Sequence, residues 1–355
     1  MFPKICLFAA GNQKWKRLFL CGLLVPMLLS GCVLGQSDSG RQQYTETFLT
    51  LFDTVTTVVG TAGSEEIFRQ KAQEVYDALS EYHRLFDIYN EYDGMNNLKT
   101  VNDHAGEEPV RVAQPIIELL LDCKAYYEET GGVVNIAMGS VLSLWHYART
   151  ESLKNPDNAF LPDSAALEAA AQHTDFSDVV IDAEAGTVFF ADPMLKLDVG
   201  AVAKGWAAER VSSILPQGMF ISVGGNVCTH GPKDAEGTPW VIGIQNPGGE
   251  GYLQTINFEK GGVATSGNYQ RTYSVEGVSY HHIIDPLTLF PAREWRSVTV
   301  VCSDAGTADV LSTALFLMTP EKGKELLKAY DGEAMWVAKD GRILYSDGFR
   351  DLIRN

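Results

Sequence analysis

LKLDVGAVAKGWAAERV, residues 195–211, is the stretch from which the rest of the chain can be read. Leu195 and Leu197 flank Lys196 in strand-like alternation, and the pattern breaks at Asp198 and Gly200. Val202, Trp206, Ala207 and Val211 then fall near one face of a helix. The expectation is a strand that turns through an acid and a glycine into a helix, with Lys204 in the first helical turn. A helix start carries unpaired N–H groups and a partial positive charge, to which a lysine adds a full one. That combination suits a phosphate-bearing ligand, although an ordinary buried junction also uses Gly and Asp.

Outward from this junction, helices and strands are interspersed. A β-rich strand is expected over residues 48–60, interrupted at Asp53, followed by an amphipathic helix over 64–87. Ser64 is its N-cap, with Glu65 and Glu66 in the first turn. Helices are read over 115–130, ended by Gly131-Gly132, and over 162–172. Strands follow at 178–181, 187–190, 220–223, 240–245, 255–258 and 297–302. Two helices, 308–318 and 320–330, precede a closing hairpin of 334–337 and 343–346. Neighbouring strands that read as hairpins favour an α+β (mixed α/β) fold over a doubly wound parallel sheet. Residues 46–355 are expected to form one large catalytic domain with mixed sheets and packed helices.

The amino terminus reads as an address. Lys4, Lys14, Lys16 and Arg17 precede an apolar core over 18–29, shorter than the roughly 20 residues of a membrane span. Leu29-Ser30-Gly31-Cys32 looks like a bacterial lipobox, with residues 1–31 as signal peptide and Cys32 as the lipidated residue. Residues 32–45 then form the lipidated cysteine and a flexible tether. This places the protein on the extracytoplasmic face of a bacterial cell membrane. The formal charge of −17 excludes a nucleic-acid surface as partner. Cys123, Cys228 and Cys302, widely spaced among apolar neighbours, read as buried inert thiols.

Three further segments carry chemistry. SVTVVCSDAGTADVLSTALFLM, residues 297–318, delivers a strand to a polar turn and then a helix. Asp309 and Thr313 are four apart on it, so a carboxylate and a hydroxyl share one face. A hard divalent cation accepts such a pair; a water-facing acid and a packed threonine have the same spacing. GGVATSGNYQRTY, residues 261–273, gathers small and polar residues between strands, and Arg271 can reach a phosphate. His281 and His282 follow, and adjacent strand residues face opposite sides, so one of the two enters a given site. Ser222-Val223-Gly224-Gly225-Asn226 reads either as a tight turn or as bare backbone against a flat ligand.

Taken in order, DVGAVAKGWAAE (198–209), SVGGN (222–226), ATSGNYQR (264–271), HHIIDP (281–286) and Ala308-Asp309 with Thr313 resemble the ApbE family of FAD:protein FMN transferases. The resemblance spans about residues 46–340. It implies cleavage of the FAD pyrophosphate, release of AMP, and attachment of FMN through a phosphoester to a Thr or Ser of an exported target flavoprotein. It implies Mg²⁺ held by Asp309, Thr313 and the Ala201 carbonyl, with FAD as substrate. His282 is implied as the base or orienting group for the acceptor hydroxyl. Phe52, Tyr89, Val133, Val134, Asn135, Asp198, Lys204 and Ile283 are implied as FAD contacts.

The chain departs from the family pattern in places. Phe52-Asp53-Thr54 stands where Met-Gly-Thr is common, Asn96-Asn97-Leu98 where many members have Ser-Glu-Ile, and Val134-Asn135 where Phe-Asp is usual. Two other readings stay open at this point: a lipoprotein that stores or delivers FAD, and an FAD pyrophosphatase giving FMN and AMP.

Overall fold

The computed structural model describes residues 42–354. The leader and Cys32 lie outside the described residues. The fold is α+β, built on one eight-stranded sheet. Its strands are Gln42–Phe48, Thr56–Ala62, Met219–Val223, Asn226–Thr229, Gly261–Gly267, Trp295–Cys302, Glu333–Ala338 and Ile343–Tyr345. They lie side by side in chain order, and every neighbouring pair is antiparallel.

Both faces of the sheet are covered, and side-chain alternation sorts the residues between them. Val263, Val301, Met335 and Val337 pack with Trp240, Ile242, Ile256 and Phe258 of a hairpin, Trp240–Gln245 with Tyr252–Phe258. Ala264, Val298, Val300 and Trp336 belong to the opposite layer, with Ala308, Leu311 and Leu315 of the helix Ala305–Leu317. That layer also takes in the helix Gln114–Glu129 and a small sheet of Val110–Arg111, Thr187–Phe190 and Val179–Asp182.

The long helix Glu65–Leu85 is set by local chemistry. The Ser64 hydroxyl accepts from the Ile67 amide at its start, and Phe68, Ala72, Val75 and Leu79 form the buried stripe. The stripe packs on Val58, Ile221 and Val223 of the sheet and on Ala207, Ala208 and Val211 of the helix Ala203–Ser212. Cys123, Cys228 and Cys302 are free and buried, and burial pushes all three thiols up.

Several expectations need correction. The strand expected over 48–60 is two strands, Gln42–Phe48 and Thr56–Ala62, joined by a turn in which Phe52 and Asp53 have φ of 52° and 51°. Residues 42–45, expected as tether, are the start of the first strand. Residues 195–197 make no ladder; Lys196 forms a single parallel bridge to Met138. Residues 261–267 are a strand in the sheet rather than a segment between strands. Helices Leu98–Asp103 and Gly139–Lys154 and the hairpin Tyr273–Val275 with Val278–Tyr280 add to the expected elements. Gly139 opens its helix against another backbone: its amide donates to Lys196 O at 2.9 Å, and a Cβ there would sit 2.5 Å from that oxygen.

Candidate active site

The junction from Asp198 to Ala203 is irregular backbone held from two sides. The Asp198 amide donates to Ile136 O at 2.8 Å, and its Oδ1 accepts the Gly200 amide at 2.9 Å. The helix Ala203–Ser212 starts immediately after, with Lys204 in its first turn. The Lys204 ammonium does not stand alone there. Its Nζ lies 3.1 Å from Gly200 O and 3.3 Å from Asp309 Oδ2.

Asp309 reaches this point from the helix Ala305–Leu317. The Asp304 side chain caps that helix through the Thr307 amide at 2.7 Å, and Glu209 Oε2 accepts the Ala305 amide at 2.8 Å. Of residues 305–316 only Thr313 is not buried. Its hydroxyl is 3.2 Å from Ser266 Oγ, and Ser266 in turn is 2.8 Å from Ser312 Oγ. Asp309 Oδ2 accepts from the Gly205 amide at 2.9 Å as well as from Lys204.

These groups open into a cavity of about 500 Å³. The residues that the family resemblance implied as FAD, metal and catalytic contacts line it, namely Phe52, Tyr89, Val133, Val134, Asn135, Asp198, Ala201, Lys204, His282, Ile283, Asp309 and Thr313. The sheet contributes an open edge. Gly261–Gly267 pairs with Asn226–Thr229 only through Val263, so Thr265, Ser266 and Gly267 run past the end of that neighbour and line the cavity. Gly224 and Gly225, with φ of 61° and 96°, make the two-residue turn between Val223 and Asn226. Ser222–Asn226 is thus a tight turn that also lines the cavity, through Gly224 and Asn226.

The two histidines lie in irregular backbone just past the strand Val278–Tyr280 rather than on a strand, and they have different surroundings. His281 is buried, with Nε2 2.7 Å from Ala292 O and Nδ1 accepting the Ile283 amide at 3.2 Å. His282 lines the cavity, and its buried Nδ1 has no partner among the described residues. Burial, then the positive charge of Arg271, the His281 ring and Lys204, push His282 down to about 3, against a backbone hydrogen bond at Gln270. The ring is therefore neutral at pH 7 and a weak base; an anionic phosphate set against Arg271 and Lys204 would raise its basicity.

Asn135 is committed to the fold. Its Nδ2 donates to Thr174 O at 2.8 Å and its Oδ1 accepts the Ala137 amide at 2.9 Å. Asn97 caps the helix Leu98–Asp103 and its Nδ2 bridges Arg84 O and Asn90 O, so it serves architecture outside the cavity lining. Sequence reasoning missed His146, which lines the cavity between Tyr89 and Asp198. It also missed Glu209, whose only signal was its place at the end of the 198–209 motif.

A family model described as the ApbE family matches residues 52–336. The chain belongs to the ApbE family. Among ApbE relatives, a Treponema pallidum protein named FAD:protein FMN transferase is 31% identical over 358 residues, covering 94% of each chain. A Klebsiella pneumoniae protein of the same name is 30% identical, over 78% of this chain and 84% of the relative. The crystal structure of the ApbE protein of Thermotoga maritima superimposes with a TM-score of 0.76 at 31% identity, over 88% of this chain and all of that one. The flavin transferase ApbE of Vibrio cholerae, at 23% identity and a TM-score of 0.73 over 88% of this chain and 99% of that one, shares the fold.

Proposed function

We propose that this chain is an FAD:protein FMN transferase that requires Mg²⁺ and modifies an exported flavoprotein. The observation that carries the reading is the convergence of Lys204, Asp309, Thr313 and His282, drawn from distant parts of the chain, on one cavity. Phosphoryl transfer asks for positioning and charge neutralisation far more than for covalent chemistry. Family membership and the names of the relatives support the substrate assignment.

Asp309, Thr313 and the Ala201 carbonyl are the residues proposed to hold the metal. They are hard oxygen donors of the kind Mg²⁺ selects, and all three line the cavity. A bound Mg²⁺ would supply neutralisation of the pyrophosphate charge. Lys204 adds a fixed cation, and the Asp198 junction presents backbone to the ligand.

In the proposed step the acceptor Thr or Ser oxygen attacks the FMN-side phosphorus. The bond from that phosphorus to the bridging oxygen breaks, and AMP leaves with the electron pair. His282 receives the hydroxyl proton at its ring nitrogen or orients the hydroxyl. A histidine lining the same cavity as Lys204, Asp309 and Thr313 supports this over simple storage of FAD, which needs no group to orient or deprotonate a hydroxyl.

The cellular location is part of the proposal. The basic and apolar leader and the Leu-Ser-Gly-Cys sequence support lipid anchoring through Cys32, outside the cytoplasmic membrane of a bacterium. The experiment that tests the function is incubation with FAD, Mg²⁺ and a Thr-bearing exported flavoprotein domain, followed by intact mass. A gain equal to an FMN phosphoester supports transfer; FMN and AMP without a gain supports hydrolysis.

A further inference from the structure

We infer that His146 is a positioning residue that makes the Tyr89 hydroxyl a hydrogen-bond acceptor for an N–H group of the bound ligand. The inference rests on the FAD reading above and adds a rule for how the ligand is recognised.

His146 sits on the helix Gly139–Lys154 and lines the cavity together with Tyr89 and Asp198. Its Nδ1 is 2.8 Å from the Tyr89 hydroxyl oxygen, and its Nε2 is 3.9 Å from Asp198 Oδ2. Burial holds the ring below the usual histidine range; the Asp198 carboxylate opposes this, and Arg149 and Arg271 add to it. A neutral imidazole carries one N–H. The carboxylate on the Nε2 side draws the proton there, which leaves Nδ1 as acceptor. The Tyr89 O–H is then spent as donor to Nδ1. Only lone pairs remain on its oxygen, so a partner in the cavity must donate.

The backbone of Tyr89 is fixed separately. Asp87 Oδ1 accepts the Tyr89 amide at 2.7 Å and the Asn90 amide at 3.0 Å, while Oδ2 accepts from Asn90 Nδ2 and the Tyr92 hydroxyl. Tyr89 is 58% exposed, so its hydroxyl orientation depends on His146 rather than on packing. Without the imidazole the O–H rotates and the acceptor preference is lost. In FAD the N–H donors on ring edges are the adenine exocyclic amine and the isoalloxazine imide.

The test is titration calorimetry on the wild-type chain, His146→Ala, Tyr89→Phe, the double variant and His146→Gln. The ligands are FAD, an analogue with hypoxanthine in place of adenine, and an analogue methylated at the isoalloxazine imide nitrogen. Each single loss should weaken FAD binding roughly three- to tenfold, the worth of one net hydrogen bond. The double variant should lose no more than either single one, and His146→Gln, whose carbonyl accepts, should recover affinity. The analogue lacking the relevant donor should bind wild type with the same loss and be indifferent to both substitutions, which identifies the ring. Unchanged FAD affinity in both single variants, additive losses, or equal losses for all three ligands would overturn the inference. Wild-type protein that fails to bind FAD would overturn the proposed function as well.

Discussion

Lys204 and Asp309 meet 3.3 Å apart where the helices Ala203–Ser212 and Ala305–Leu317 cross. The Gly205 amide donates to the same carboxylate oxygen at 2.9 Å. The lysine from the sequence's most telling segment and the acid from its second are therefore one electrostatic unit, with side chains only 22% and 7% exposed.

Gly205 makes that contact possible. A Cβ there would lie 2.4 Å from Asp309 Cβ and 2.6 Å from Ala305 O. Gly205→Ala should destabilise the fold by about 1–3 kcal/mol, the range for overpacking a filled core. Denaturant unfolding gives the value, and unchanged stability would show that the helices separate freely.

Asp309→Asn tests charge apart from shape. The amide oxygen still accepts from Gly205, so far-UV and near-UV circular dichroism should match wild type. Transfer at fixed Mg²⁺ should fall at least ~100-fold, the scale of losing several kcal/mol of charge stabilisation at a metal. Asp309→Ala should also unfold more easily, because Lys204 would be left partly buried without its partner.

His282→Ala should slow transfer by about 10²–10⁴-fold, the usual worth of a general base. FAD affinity should fall much less; equal losses in both would make His282 a binding residue. The Arg271 and Lys204 charges that depress this ring are the ones an anionic pyrophosphate offsets. The acidic limb of kcat should accordingly lie at higher pH than that of kcat/KM.

The same ring links stability to pH. His282 lies near 3 when folded, below about 6.5 for an unfolded histidine. Between those values the unfolded chain binds the extra proton, so this residue lowers stability as pH falls through the window. The slope is at most about 1.4 kcal/mol per pH unit. His282→Gln should flatten that part of the stability curve, and an unaltered curve would mean the ring titrates normally in the fold.

Much of this site was legible because its residues sit in short runs with local meaning. Asp309 and Thr313 share a face by helical period, and both line the cavity. Ser64 and its acidic followers marked a helix start that the structure reproduces. What failed was non-local. Lys204 read as a free cation at a helix end, since nothing near it in sequence names Asp309 as partner. His146 carries no local pattern at all; its meaning comes from Tyr89, 57 residues earlier, and from Asp198. Residues 261–267 read as a segment between strands because Gly and Ala are depleted in strands, yet sheet neighbours fix them.

The measurement that bears most directly on the central claim is intact-mass spectrometry of an acceptor after reaction with protein beginning at Arg41. That boundary keeps the whole strand Gln42–Phe48, which a cut at residue 46 would shorten to its last three residues. With FAD, Mg²⁺ and the soluble domain of a Thr-bearing exported flavoprotein, the acceptor should gain the mass of one FMN phosphoester. EDTA or Asp309→Asn should abolish the gain. An unmodified acceptor with FAD intact, or with FMN and AMP free in solution, would contradict the assignment of this cavity to FMN transfer.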